Sequence, residues 1–126
     1  MKEKNYLIDS NIIIYHLSND HIVKEFLFEN IDYCAISVVT YIEVLSFDFQ
    51  GAQDKNIAKA LLDSFGIINT NIDIASQSIK NRKIKKIKLP DNIIASTAQI
   101  NNLILVTRNV KDFNLLDIEL LNLFDT

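Results

Sequence analysis

Apolar and polar positions along this chain switch between a period near two and a period near four, and the switches divide it into elements. Residues 5–9, NYLID, read as a short buried strand. Residues 10–17, SNIIIYHL, read as a short helix capped by Ser10. In residues 20–30, DHIVKEFLFEN, the apolar positions Ile22, Val23, Phe26 and Leu27 have helical spacing. Residues 31–37, IDYCAIS, predict a second strand, after which Ser37 caps a helix over residues 38–47 despite its β-branched start. Residues 52–65 form an amphipathic helix with Gly66 in the position after its end, and residues 66–70, GIINT, a third strand. A helix over residues 73–88 has a strongly basic second half. Pro90 opens another, residues 90–101, in the first-turn position where proline is tolerated. Residues 103–107, LILVT, are almost purely apolar, as a strand covered on both faces should be, and a last short strand lies within residues 118–124. Strands alternating with helices predict an α/β fold: one domain over residues 1–126, with a parallel sheet of about four to five strands flanked by helices.

Composition narrows this picture little. Hydrophobic residues at 48% and charged residues at 23% fit a globular core and exclude a disordered chain. No apolar run approaches the roughly 18 residues of a membrane span, and MKEKNY leads straight into a strand without the regions of a signal peptide. The expectation is a soluble cytoplasmic protein with no membrane contact. The single cysteine, Cys34, sits in an apolar run and reads as a buried structural thiol.

Charge matters more. A net charge of -3 and a pI near 5.3 exclude a protein that coats nucleic acid. A polyanionic substrate would need a local basic patch or a bound cation. The one strong positive cluster is KNRKIKKIK, with Lys80, Arg82, Lys83, Lys85, Lys86 and Lys88; it reads either as a solvated helix face or as a contact for a phosphate backbone.

Four acids fall where a parallel sheet gathers its strand ends, the edge on which such folds build sites. Asp9 ends the first strand, Glu43 lies six residues past the cap Ser37, Asp91 follows Pro90, and Asp112 follows the fourth strand. Singly each has a plainer reading: Asp9 as a helix cap, Glu43 on a solvated face, Asp91 as a helix-dipole partner, Asp112 as a loop residue. Thr40 lies three residues before Glu43 and shares its helix face. Together, four carboxylates facing one pocket raise each other's pKa unless a cation pairs with them, and oxygen-only donors suit Mg²⁺ or Mn²⁺. His16 and His21 read as structural or exposed.

The ordered segments YLIDSN, SVVTYIEVL, LPDNIIASTA and LILVTRNVKDF, from Tyr6 to Phe113, resemble the PIN-domain family, and within it the VapC-type toxin ribonucleases of bacterial toxin–antitoxin pairs. By that resemblance Asp9, Glu43 and Asp91 are the first three acids of a metal-dependent catalytic site. The loop after the fourth strand offers Asp112 or Asn109 for the fourth. Asn11 and Thr107 match polar positions that support the metal, and Arg108 beside Thr107 joins the candidate RNA contacts. The resemblance implies an endoribonuclease using Mg²⁺ or Mn²⁺, an RNA substrate, a small antitoxin partner and a homodimer; a non-toxin ribonuclease or a non-catalytic binding module of the same fold is the alternative. A phosphorelay receiver domain, with its acidic pocket, fails because Asp9 has no paired acid and the chain has no late Lys-Pro.

Overall fold

In a computed structural model the chain is described over residues 3–125. Five strands, β1 (Tyr6–Ile8), β2 (Cys34–Ser37), β3 (Gly66–Ile68), β4 (Ile104–Val106) and β5 (Leu120–Leu121), form one sheet in the order β3-β2-β1-β4-β5, and every neighbouring pair is parallel. Among the described residues seven helices surround it: α1 (Ser10–Leu17), α2 (His21–Asn30), α3 (Val38–Leu45), α4 (Ala52–Asp63), α5 (Ile72–Ile84), α6 (Leu89–Ile100) and α7 (Val110–Phe113).

The period of two in the strands divides the core between the two faces. Ile8, Ile36 and Val106 pack on one side with Ile12, Ile13, Val23, Leu27 and Leu62 from α1, α2 and α4. Leu7, Ala35 and Leu105, their immediate neighbours, pack on the other with Ile94, Ala95, Ala98 and Phe113 from α6 and α7. Strands buried on both faces cannot carry a charge, so the first acid comes just after β1 rather than within it. The chain lays down β1, β2 and β3 outward in one direction and then returns to place β4 on the other side of β1. The strand order therefore reverses between β1 and β4, and parallel sheets open a crevice at the carboxyl ends of such a pair.

The sheet has the expected parallel α/β form, with local differences. Residues 31–33 of the expected second strand make a 3₁₀ turn continuing from α2, leaving only Cys34–Ser37 to pair. Gly66 does not follow a helix end; it opens β3 opposite Ala35, and α4 instead closes at Ser64 through Ser64 N–H to Leu61 and Phe65 N–H to Leu62. Those tighter bonds satisfy the last carbonyls, so no left-handed residue is needed. The basic helix starts one residue early, where the Asn71 side chain accepts from Ile74 N, and stops at Ile84. From there Lys85 turns into an extended conformation and its Nζ donates to the Lys111 carbonyl and the Asn114 side chain. Continuing the helix would also have stacked Lys85 beneath Lys88, a repulsive spacing. Packing of α5 on α6 is fixed by a buried polar knot: Asn81 Nδ2 shares its two hydrogens among Asn92, Ser96 and Gln99, Asn92 donates to the Ser78 carbonyl, and the Ser78 and Ser96 hydroxyls lie 2.8 Å apart. Ser96 is thus a bonded member of that knot.

Candidate active site

Asp9 stands at the strand reversal. Its backbone N–H donates to the Val106 carbonyl at 3.0 Å, which pins it between β1 and β4. Its side chain, only 5% exposed, is the N-cap of α1, a place expected for Ser10. Oδ1 accepts from Ser10 N at 2.8 Å; Oδ2 accepts from Thr107 Oγ1 at 2.8 Å and Asn11 Nδ2 at 3.2 Å. Asn11 also accepts the Arg108 N–H, and Thr107 Oγ1 accepts the Asn109 N–H. Asp9, Asn11 and Thr107 thus form a closed ring of hydrogen bonds across α1 and the end of β4. Burial nevertheless pushes the Asp9 carboxyl up to about 6; the Thr107 and Ser10 hydrogen bonds pull it down less than burial raises it, and the charges of Asp91 and Glu43 add to the rise.

Glu43 is exposed on α3 and accepts the Ser10 hydroxyl at 2.6 Å. Ser10 Oγ also lies 3.4 Å from the buried Thr40 hydroxyl. A serine has one hydrogen to give, and the shorter contact assigns it to Glu43. Ser10 therefore ties the second acid to the first, a role hidden in the sequence because its partner lies 33 residues away. A small hydroxyl directly after Asp9 was the one available signal.

Asp91 sits half-buried in the first turn of α6, where the proline-led start and the helix dipole both favour an acid. Its carboxyl is raised first by burial, then by the charges of Asp112 and Glu43, with Lys88 opposing. Asp112 lies in α7 rather than in the expected open loop, exposed, its N–H held by the Asn109 carbonyl at 3.0 Å. Asn109 begins that short helix without a side-chain cap bond. Of these two residues, Asp112 is the one whose charge reaches Asp91.

The four acids thus act on one another across the carboxyl edge of the sheet. Among the described residues no three His, Cys, Asp or Glu side chains are drawn together into a metal-holding group. Both oxygens of Asp9 are engaged by neighbouring donors, and Ser10 holds Glu43. The donor set is oxygen-only, as a hard divalent ion requires, and Glu43 and Asp112 are both exposed.

Candidate polyanion contacts divide. Lys80, Lys83, Lys86 and Lys88 are exposed, and Lys88 is near enough to the acids to influence Asp91. Arg82 donates to the Ile87 carbonyl at 2.7 Å and Lys85 is committed to α7, so neither is fully available. Cys34 is buried and its thiol is pushed up to about 12, as expected for an inert packing residue.

A buried acid at a strand reversal, with three more acids around it, defines an acidic parallel α/β domain. The PIN domain family matches residues 6–118, and the chain belongs to that family. No curated protein matches it. Among solved structures it is similar to a toxin–antitoxin complex from Klebsiella pneumoniae, at 34% identity and a TM-score of 0.80, covering 97% of this chain and 100% of that one. It is also similar to VapBC-1 from nontypeable Haemophilus influenzae, at 27% identity and 0.80, covering 95% and 98%. DNA-bound VapBC from Salmonella typhimurium shares the fold at 18% identity and a TM-score of 0.85, covering 95% and 98%. Among the described residues no helix is long and apolar enough to cross a membrane.

Proposed function

We propose that this protein is a cytoplasmic endoribonuclease dependent on Mg²⁺ or Mn²⁺ and the toxin of a VapC-type toxin–antitoxin pair. The observation that carries the reading is the buried Asp9, held at the β1–β4 reversal with its carboxyl raised by burial and by neighbouring acids. A cation bound beside it would supply the countercharge that makes such a group affordable. Asp9 and Asp91 would hold the ion directly, Glu43 would hold a second ion or orient the attacking water, and Asp112 would act through water. The ion would neutralise phosphate charge and lower the pKa of a bound water. The protein's own part is positional: Thr107 and Asn11 fix the Asp9 carboxylate, Ser10, with Thr40 beside its hydroxyl, holds Glu43, and Asn109 sets the start of the turn that carries Asp112. The exposed lysines of the 80–88 segment suit an RNA backbone beside this edge.

The test is cleavage of an RNA pool by purified protein. Cleavage should stop in chelator and return with Mg²⁺ or Mn²⁺; cleavage that persists in chelator overturns the acidic-site mechanism.

A homodimer belongs to the proposal. On α2, Phe28 is 87% exposed and Ile22 is also outward, and on α5 and α6 Ile79, Ile84 and Leu89 are exposed as well. Apolar surface of this extent calls for a covering partner. Sedimentation of the free protein at micromolar concentration should give twice the chain mass; a monomer removes the dimer from the proposal and leaves the site untouched.

A further inference from the structure

We propose that Arg108 binds a backbone phosphate of single-stranded RNA at the rim of the acidic site, held ready by an aromatic perch of Tyr15 and Phe124; this rests on the ribonuclease reading. The root of Arg108 is fixed to the site itself. Thr107, the residue before it, donates to Asp9, and the Arg108 N–H donates to Asn11 Oδ1 at 3.3 Å. Its guanidinium lies away from the acids. Cζ is 5.1 Å from the centre of the Tyr15 ring and 4.5 Å from that of Phe124, the two rings are themselves 5.0 Å apart, and Nη1 donates to the Tyr15 hydroxyl at 3.0 Å.

Among the described residues Arg108 makes no ion pair, and its charge is not among those acting on Asp9 or Asp91. A mobile guanidinium rooted at the rim of an acidic site would be expected to swing onto a carboxylate, the strongest contact open to it. Stacking on two rings opposes that collapse, since a cation over aromatic faces gains about 0.5–1 kcal/mol each at exposed sites. The perch therefore keeps the protein's own arginine from plugging its acidic site. It also leaves most of the five N–H donors of an exposed guanidinium facing solvent in a fixed orientation, the geometry that suits phosphate. An RNA chain approaching a negative cluster on a negatively charged protein needs such a fixed cation at the point of entry. The lysines of the 80–88 segment are flexible by comparison, and Arg82 and Lys85 are already engaged.

The experiment measures binding of a short single-stranded RNA to full-length Asp9→Asn protein, which cannot cut it, over a range of salt. Adding Arg108→Ala should weaken binding about tenfold and flatten the slope of log affinity against log salt by about 0.7, the share of one phosphate contact in a single strand. Arg108→Lys keeps the charge and loses the stack, so it should retain the slope and bind more weakly. If Arg108→Ala fails to fold, the lysine variant carries the test, and binding as tight as that of the Arg108 protein overturns the perch. RNA bound equally, with equal slope, with and without Arg108 overturns this proposal alone. An Asp9→Asn protein that binds no RNA in any form overturns the ribonuclease reading and this proposal with it.

Discussion

Replacing Asp9 by asparagine is expected to remove RNA cleavage and, at the same time, to make the metal-free protein more stable. Loss of activity should exceed about a hundredfold, because even outer partners of metal ligands are worth 10- to 100-fold. The gain in stability follows from the raised carboxyl. Asp9 titrates at about 6 in the folded protein against an ordinary 3.8. Below pH 3.8 folded and unfolded chains both keep the proton and nothing is lost. As pH rises from 3.8 to about 6 the unfolded chain releases its proton first, so the fold loses about 3 kcal/mol, and above 6 that loss is complete. Asparagine escapes the loss but cannot accept from all of Ser10, Thr107 and Asn11 at once, which returns part of it. The net expectation at pH 8 is a gain of about 1–2 kcal/mol, or a melting temperature roughly 5 °C higher. At pH 4, where the carboxyl keeps most of its proton and little is lost, the same forfeited hydrogen bonds should leave the variant roughly 1 kcal/mol less stable than the Asp9 protein. Thermal melts in chelator at both pH values decide it; a variant less stable at pH 8 would make Asp9 a structural residue. Asp91→Asn should follow in the same direction, less strongly because the side chain is half-buried, and it relieves Glu43 and Asp112 as well. Asp112→Asn should reduce cleavage less if its contact runs through water.

The parts of this protein that were readable in advance are those fixed by short-range pattern. The two-face split of β1, β2 and β4 follows from runs such as LILV, where every residue needs cover. Asp9, Glu43 and Asp91 could be placed because each follows a strand end or a helix start, and a parallel sheet brings those points to one edge. What escaped depends on partners distant in sequence. Helix α7 is four residues long, too short to show a period. Lys85 leaves α5 for carbonyls 26 and 29 residues on, and nothing within KNRKIKKIK distinguishes it from its neighbours. Ser10 could be assigned to Asp9's helix but not to Glu43 on another. The rings under Arg108 come from opposite ends of the chain, so their meeting is a property of the fold alone.

The second large effect concerns the antitoxin of the proposed pair. Without metal the acidic edge is an uncompensated negative site, and the group that best fits several carboxylates at once is a guanidinium, which binds them in bidentate fashion. The expectation is that the C-terminal part of the antitoxin lays an apolar segment along the protein and inserts an arginine or lysine among Asp9, Glu43 and Asp91. The surface offers a track for such a segment. Ile14, Leu17, Phe47, Phe49 and Ile57 line an open groove of about 420 Å³ along α1 and α4. Helix α1 joins groove and site: Ser10 at its start bonds Glu43, and Leu17 at its end lines the groove. Seven residues of helix span about 10 Å, which about three extended residues cover. A basic residue about three positions from the last apolar anchor would therefore reach the acids. Changing the basic residues of that C-terminal part to alanine should weaken binding by at least about tenfold, since a lost charge pair at a buried contact is worth 2 kcal/mol or more. Excess Mg²⁺ should weaken the unmodified antitoxin as well, because the two cations compete for the same oxygens, and should leave the alanine form unaffected. Titration calorimetry with the small protein proposed as its antitoxin measures both effects. Unchanged affinity after all the basic residues are removed would mean that inhibition works through the apolar groove alone.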